Sequence, residues 1–182
     1  MNLHKYHSSI KPLRKAIDAL PVTPGSYALL LQLRQRERLA VGKLGIFDFL
    51  PGEYVYFGSA RGSGGIRARL GRHLRGAGKL HWHIDFLRTS ARVSGYFYLS
   101  DDVVAELPVR TRRSLECIWS QRCAQNRLFQ LAAPGFGASD CINRCESHLY
   151  RFSERDVSTD TIRSMMADAV GVGSACIVGA FV

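Results

Sequence analysis

Apolar and polar positions repeat along this chain with two different periods. Leu13, Ile17 and Leu20 recur at helical spacing and predict a short amphipathic helix over residues 1–20, stopped by Pro21 and Pro24. Ser26 to Leu33 (SYALLLQL) is an almost unbroken apolar run that predicts a strand. Arg34 to Arg38 reads as a charged turn, and Leu39 to Leu44 can return as a second strand, so a hairpin is expected. Pro51-Gly52 marks a turn, and Glu53 to Gly58 (EYVYFG) predicts a third strand. A glycine-rich turn then leads into an arginine-bearing helix that runs to about Arg75 and ends at Gly76 to Gly78. A short helix within His81 to Ser90 and a strand over Arg92 to Leu99 follow. From Pro108 to about Asn126, Leu115, Ile118, Trp119 and Arg122 fall at i, i+3, i+4 and i+7, which predicts one helix. Pro134 to Gly137 is a loop leading into Cys141 to Phe152.

These elements predict an α/β (α+β) fold, a small and mainly antiparallel sheet flanked by helices, with an inserted hairpin. They divide into an N-terminal helical extension (1–20), the domain proper (21–152) and a C-terminal appendage (153–182). The last boundary rests on a change of charge sign, since Glu154, Asp156, Asp160 and Asp168 face Arg155 and Arg163.

Composition adds a partner class. The 182 residues are 46% hydrophobic, enough for a packed core, and carry a net charge of +10 with a pI near 9.8. Such a balance favours a polyanion, with nucleic acid ahead of an anionic membrane surface. Five irregularly spaced cysteines argue against a secreted disulfide framework and for a reducing cytoplasm. The first twenty residues lack the apolar run of a signal peptide. The apolar C-terminal stretch is short, glycine-bearing and interrupted by Asp168, so no membrane span is expected. Between Arg61 and Arg92 the basic residues meet a single acid, Asp85, and a second basic block surrounds Glu116. A merely solvated face would intersperse glutamates, so these blocks predict a DNA-binding surface with Arg61, Arg67, Arg72, Arg75, Lys79, Arg112 and Arg113 as candidate contacts.

The glycine turn ahead of the arginine helix first reads as a cradle in which backbone N–H groups hold phosphate. The wider pattern changes that. Gly25-Ser26-Tyr27, then Tyr56-Phe57-Gly58, then Arg69 and His73 on a helix and Glu116 on a later helix resemble the ordered motifs of the GIY-YIG nucleases. His81 to Asp85 and Pro134 to Cys141 resemble a little-characterised branch, a domain of unknown function related to those enzymes, and that likeness extends to about Phe152. Two features depart from the pattern: the tyrosine motifs are separated by residues 28–55, a longer interval than in most of the family, and Ser26 stands where the name motif has isoleucine.

The resemblance implies a metal-dependent DNA endonuclease. Glu116 would hold one Mg²⁺ or Mn²⁺, a hard cation that keeps several waters and needs few carboxylates. Arg69 would bind the scissile phosphate, and Tyr27 would take a proton from the attacking water, its pKa lowered by nearby cations. Tyr56 and His73 would orient these groups. Phosphate would then lie against Arg69, and Gly62 to Gly65 would only aim the helix. Without the pattern, Tyr27 and Tyr56 read as core strand residues, Glu116 as a surface residue paired with Arg112 or Arg113, and His73 as a packing residue. The alternative function is a non-catalytic nucleic-acid-binding module of the same fold.

Cys141, Cys145 and His148, with His81 and His83 upstream, offer ligands for zinc. Their spacing is not that of a standard knuckle, and the favoured reading is that these cysteines pack without metal. Cys117 and Cys123 read as helix packing residues. Asp85 is either a second metal ligand or a partner for Arg88.

Overall fold

The computed structural model describes residues 13–76, 78–153 and 155–182. Most of the predicted N-terminal helix lies outside the described residues; 13–18 are helical, and Ile17 and Leu20 are buried.

Strand β1 (Gly25–Leu33) is the centre of the molecule. It pairs antiparallel with β4 (Gly52–Ala60) on one side and β5 (Arg92–Ser100) on the other. The sheet continues through β7 (Leu149–Phe152) to β6 (Phe129–Leu131) beyond β4, and through β8 (Val178–Phe181) beyond β5. The order is β6-β7-β4-β1-β5-β8. Both faces are covered, so β1 is buried along nearly its whole length and its sequence shows a run rather than an alternation. Tyr27, Leu29, Leu31 and Leu33 point to a core shared with Ile66, Leu70, Ile84 and Leu87. These last come from α1 (Gly65–Arg75) and α2 (His83–Leu87). Ala28 and Leu30 point to the opposite core, with Leu115, Trp119, Ile162 and Met166.

Three expectations change. The hairpin does not extend the main sheet: β2 (Glu37–Ala40) and β3 (Ile46–Phe49) pair with each other in a separate two-stranded sheet. Both edges of β1 are already taken, so a returning strand has nowhere to join. The helix expected from Pro108 to Asn126 is two pieces, α3 (Val109–Arg112) and α4 (Leu115–Ala124). No residue of α3 is buried, whereas α4 starts at buried Leu115, so packing sustains only the second piece. Finally, 153–182 is built into the domain. Its helix α5 (Thr159–Asp168) supplies Ile162 and Met166 to the second core, Trp119 donates to the Met166 carbonyl, and β8 completes the sheet. Among the described residues no helix is long and apolar enough to cross a membrane.

Candidate functional site

Strand β7 accompanies β4 over Glu53 to Tyr56 and then leaves it. The last bond between them runs from the Phe57 amide to the His148 carbonyl, 2.9 Å. Where the strands part, a cleft of about 600 Å³ opens against the freed edge of β4. Tyr56, Gly58 and Ser59 line it from β4. Tyr27, Arg69 and Trp82 reach it past one face of the sheet, Arg113 and Glu116 past the other, and the loop before β7 closes it with Asp140, Asn143 and His148. The structure therefore brings Tyr27, Tyr56, Arg69 and Glu116 to one cavity although they stem from four separate elements.

Local geometry explains how each arrives. Tyr27 lies directly opposite Gly58 in the β1–β4 register. A Cβ on residue 58 would stand 2.5 Å from the Tyr27 hydroxyl, so glycine clears the path by which the phenol crosses β4. The Tyr27 hydroxyl is 2.9 Å from His73 Nε2, while buried His73 Nδ1 has no hydrogen-bond partner. Arg69 lies over the Trp82 ring, 3.9 Å from its centroid, and among the described residues no carboxylate pairs with it. Ser26 donates from Oγ to Glu116 Oε2 at 3.0 Å, giving the serine in the first motif a specific task.

The electrostatics revise the expectation for Tyr27. Burial raises its hydroxyl well above the ordinary tyrosine value; the Tyr56 phenol adds to this, and Arg69 offsets only part of it. Burial likewise raises Tyr56. His73 is held down to about 3, first by burial and then by the Arg88 charge, so its imidazole is neutral. Burial raises Glu116, although its own backbone amide and Ser26 stabilise the carboxylate.

The helix N-terminus is not a phosphate cradle. Gly65 adopts φ 51°, and a Cβ there would meet the Thr23 carbonyl oxygen at 2.1 Å. This tight approach lets the Ile66 amide donate to Thr23 O and the Arg67 amide to Pro21 O, which occupies the first-turn donors.

The predicted basic contacts divide into two sets. Arg61 is bound to Asp101 and the Arg112 carbonyl, and Arg67 donates to the Leu20 carbonyl at 2.7 Å. Arg72 forks onto Asp85 at 2.6 and 2.9 Å. These three guanidiniums hold the fold together. Arg113 lines the cleft and Arg75 and Lys79 are exposed, while Arg112 is half-buried. Asp85 accepts the amides of His81 and Trp82 in addition to Arg72, so its partner is Arg72 rather than Arg88 or a metal. Burial alone would raise its pKa, but these donors outweigh it and hold the carboxyl at about 2.

Beside the cleft stands a Cys₃His cluster that could hold a metal ion. The ligand atoms of Cys117, Cys141, Cys145 and His148 all lie within 4.8 Å of one another. This corrects the expectation in two ways. Cys117, read as a packing residue, joins the set, and His81 and His83 stay outside it. His81 packs edge-on against the Trp82 ring, and His83 accepts the Gly137 amide at Nδ1, 2.9 Å. Glu116 makes no ion pair with Arg112 or Arg113 among the described residues; its partner is Ser26. Trp82, Ser26 and Cys117 are the members that sequence reasoning passed over. No sequence signal marked Cys117, because neighbouring helix positions point in different directions and only the fold brings the loop before β7 against it.

Helices on both faces of an antiparallel sheet, with a polar cleft where an inner strand loses its neighbour, define an α+β domain with a sheet-edge site. The chain belongs to the family described as domain of unknown function DUF123, whose model matches residues 26–171. That match runs past Phe152 and through α5. No curated protein and no solved structure matches the chain.

Proposed function

We propose that the cleft is the active site of a metal-dependent DNA endonuclease of the GIY-YIG type. The observation that carries this reading is the convergence of Tyr27, Tyr56, Arg69 and Glu116 on one cavity, with His73 bonded to Tyr27. Arg69, steadied by Trp82 and free of acidic partners among the described residues, binds the scissile phosphate. Tyr27, held by its 2.9 Å hydrogen bond to His73 Nε2, orients the attacking water with its phenol intact rather than keeping the water's proton, because burial disfavours both a standing tyrosinate and an imidazolium at His73.

Glu116 fits a single hard cation, Mg²⁺ or Mn²⁺. It is a desolvated carboxylate that gains by pairing with positive charge, and one protein oxygen suffices for an ion that keeps its waters. When bound, the ion supplies charge neutralisation at phosphorus and acidifies water. The Cys₃His cluster has the softer donor set of zinc, so the two sites favour different metals. Arg110 and Arg113 on the rim suit a polyanionic substrate.

Nicking of single-stranded, duplex and branched DNA with Mg²⁺ or Mn²⁺ tests the reading, using wild type beside Glu116→Ala and Arg69→Ala. Cleavage that both changes leave untouched overturns it. Salt-dependent binding that survives Glu116→Ala, with no cleavage by wild type, establishes the non-catalytic binding module instead.

A further inference from the structure

We propose that the Cys₃His cluster is a closed, structural zinc site that clasps the cleft's loop wall to the helix carrying Glu116. Metal binding itself is independent of the nuclease reading; the positioning of Glu116 for chemistry rests on it.

Two of the spacings within the cluster match those between the donors of a tetrahedral zinc site. Cys117 Sγ is 3.5 Å from Cys141 Sγ and 3.8 Å from His148 Nε2. Four donors about 2.1–2.3 Å from a zinc ion lie roughly 3.4–3.8 Å from one another. The cysteines are free thiols, so the sulfurs gather without a disulfide. Four protein donors leave no open position for substrate, which distinguishes a structural site from a catalytic one.

The surroundings are built for the ligands. His148 is fixed at the start of β7, donating its amide to Phe136 O and accepting from Phe57. Cys117 is fixed by α4. Cys141 and Cys145 sit on a loop without regular structure between β6 and β7. Arg144, between them, has φ 54°, the one non-glycine residue with positive φ among the described residues. That costly conformation closes a turn, Arg144 amide to Cys141 carbonyl at 3.0 Å, and keeps the two cysteines on one side. Gln121 donates to Cys145 Sγ at 4.0 Å, an outer contact of the kind that steadies a metal-bound thiolate.

The clasp has consequences for the cleft. Asp140, Ile142 and Asn143 belong to the tethered loop, and Ile142 is 91% exposed at its tip. The loop is also tied to α4 by hydrogen bonds from Asn143 Nδ2 to Ser114 Oγ at 3.2 Å, from Gln121 Nε2 to the Asn143 carbonyl at 3.5 Å, and from Ser120 Oγ to the Ser147 carbonyl. A bound ion would add a four-point tie to these single hydrogen bonds and so fix the distance of this wall from Glu116.

The full-length chain, purified without added metal, is expected to carry about one zinc per molecule. Its Co²⁺-substituted form should show the visible bands of a tetrahedral three-thiolate site, unchanged by added azide. Chelation should lower Tm by about 10 °C or more and speed hydrogen exchange over residues 137–147. Cys117→Ser and Cys145→Ser should lose the zinc, Cys176→Ser should keep it, and Gln121→Ala should weaken binding about tenfold. Three results overturn the proposal: a wild type that neither retains nor takes up zinc, a cobalt spectrum that shifts with azide, or chelation that leaves exchange over 137–147 unchanged. If zinc and exchange behave as expected but DNA is not cut, the nuclease reading fails alone. If DNA is cut equally well after chelation and Mg²⁺ addition, the clasp's role in placing Glu116 fails while that reading stands.

Discussion

At the scale of single residues, the site depends on what is missing as much as on what is present. Gly58 has no side chain because the Tyr27 phenol occupies that space. Gly58→Ala should therefore displace the phenol, lower stability by about 1–3 kcal/mol and reduce DNA cleavage more than stability alone explains; melting curves beside nicking rates check this. His73 makes a pH prediction. In the fold it stays neutral down to about pH 3, whereas an unfolded histidine ionises near 6.5. Protons then favour the unfolded chain at every pH between those values, and stability falls steadily as pH drops below 6.5. Tm measured from neutral pH toward about pH 5 should decline, and His73→Asn should make the slope shallower. An equal slope in both proteins would assign the decline elsewhere.

At the scale of elements, the fork between Arg72 on α1 and Asp85 on α2 ties two helices and the intervening turn together. It also sets Trp82 beneath Arg69, because Asp85 holds the Trp82 amide. Asp85 titrates at about 2 in the fold against 3.8 in an open chain. Its contribution of about 2 kcal/mol is complete above pH 4 and drains away between pH 4 and pH 2. Asp85→Asn should cost about 3 kcal/mol or more, because it strands the Arg72 charge; urea titrations at neutral pH measure that directly. Here the sequence could be followed only part of the way. The run in β1, the tyrosine strand β4 and the arginine helix were legible because their periods are set by burial. The partner of Asp85 was not, because spacing favours Arg88 at i+3, and only the packing of α1 against α2 brings Arg72 to the carboxylate. Likewise Cys117 reads as a packing residue until the fold brings the loop before β7 against α4.

At the scale of the whole molecule, residues 153–182 look detachable by charge and are not. Their apolar positions, Val157, Ile162, Met166 and Ile177, are spread too widely to show a strong pattern, yet all are buried in the second core. Truncation after Phe152 should uncover Trp119 and the outer edge of β5, abolish cooperative unfolding and leave an insoluble chain; solubility and a calorimetric scan decide it. The parting of β4 from β7 has its own consequence. A strand edge left bare to admit a ligand is equally open to a strand from a neighbouring molecule, the first step toward aggregation. Arg69, Arg110 and Arg113 bring like charge to that opening, a feature that opposes edge-to-edge pairing of two copies. The rim proposed to receive a polyanion would thus also oppose pairing of the chain with itself.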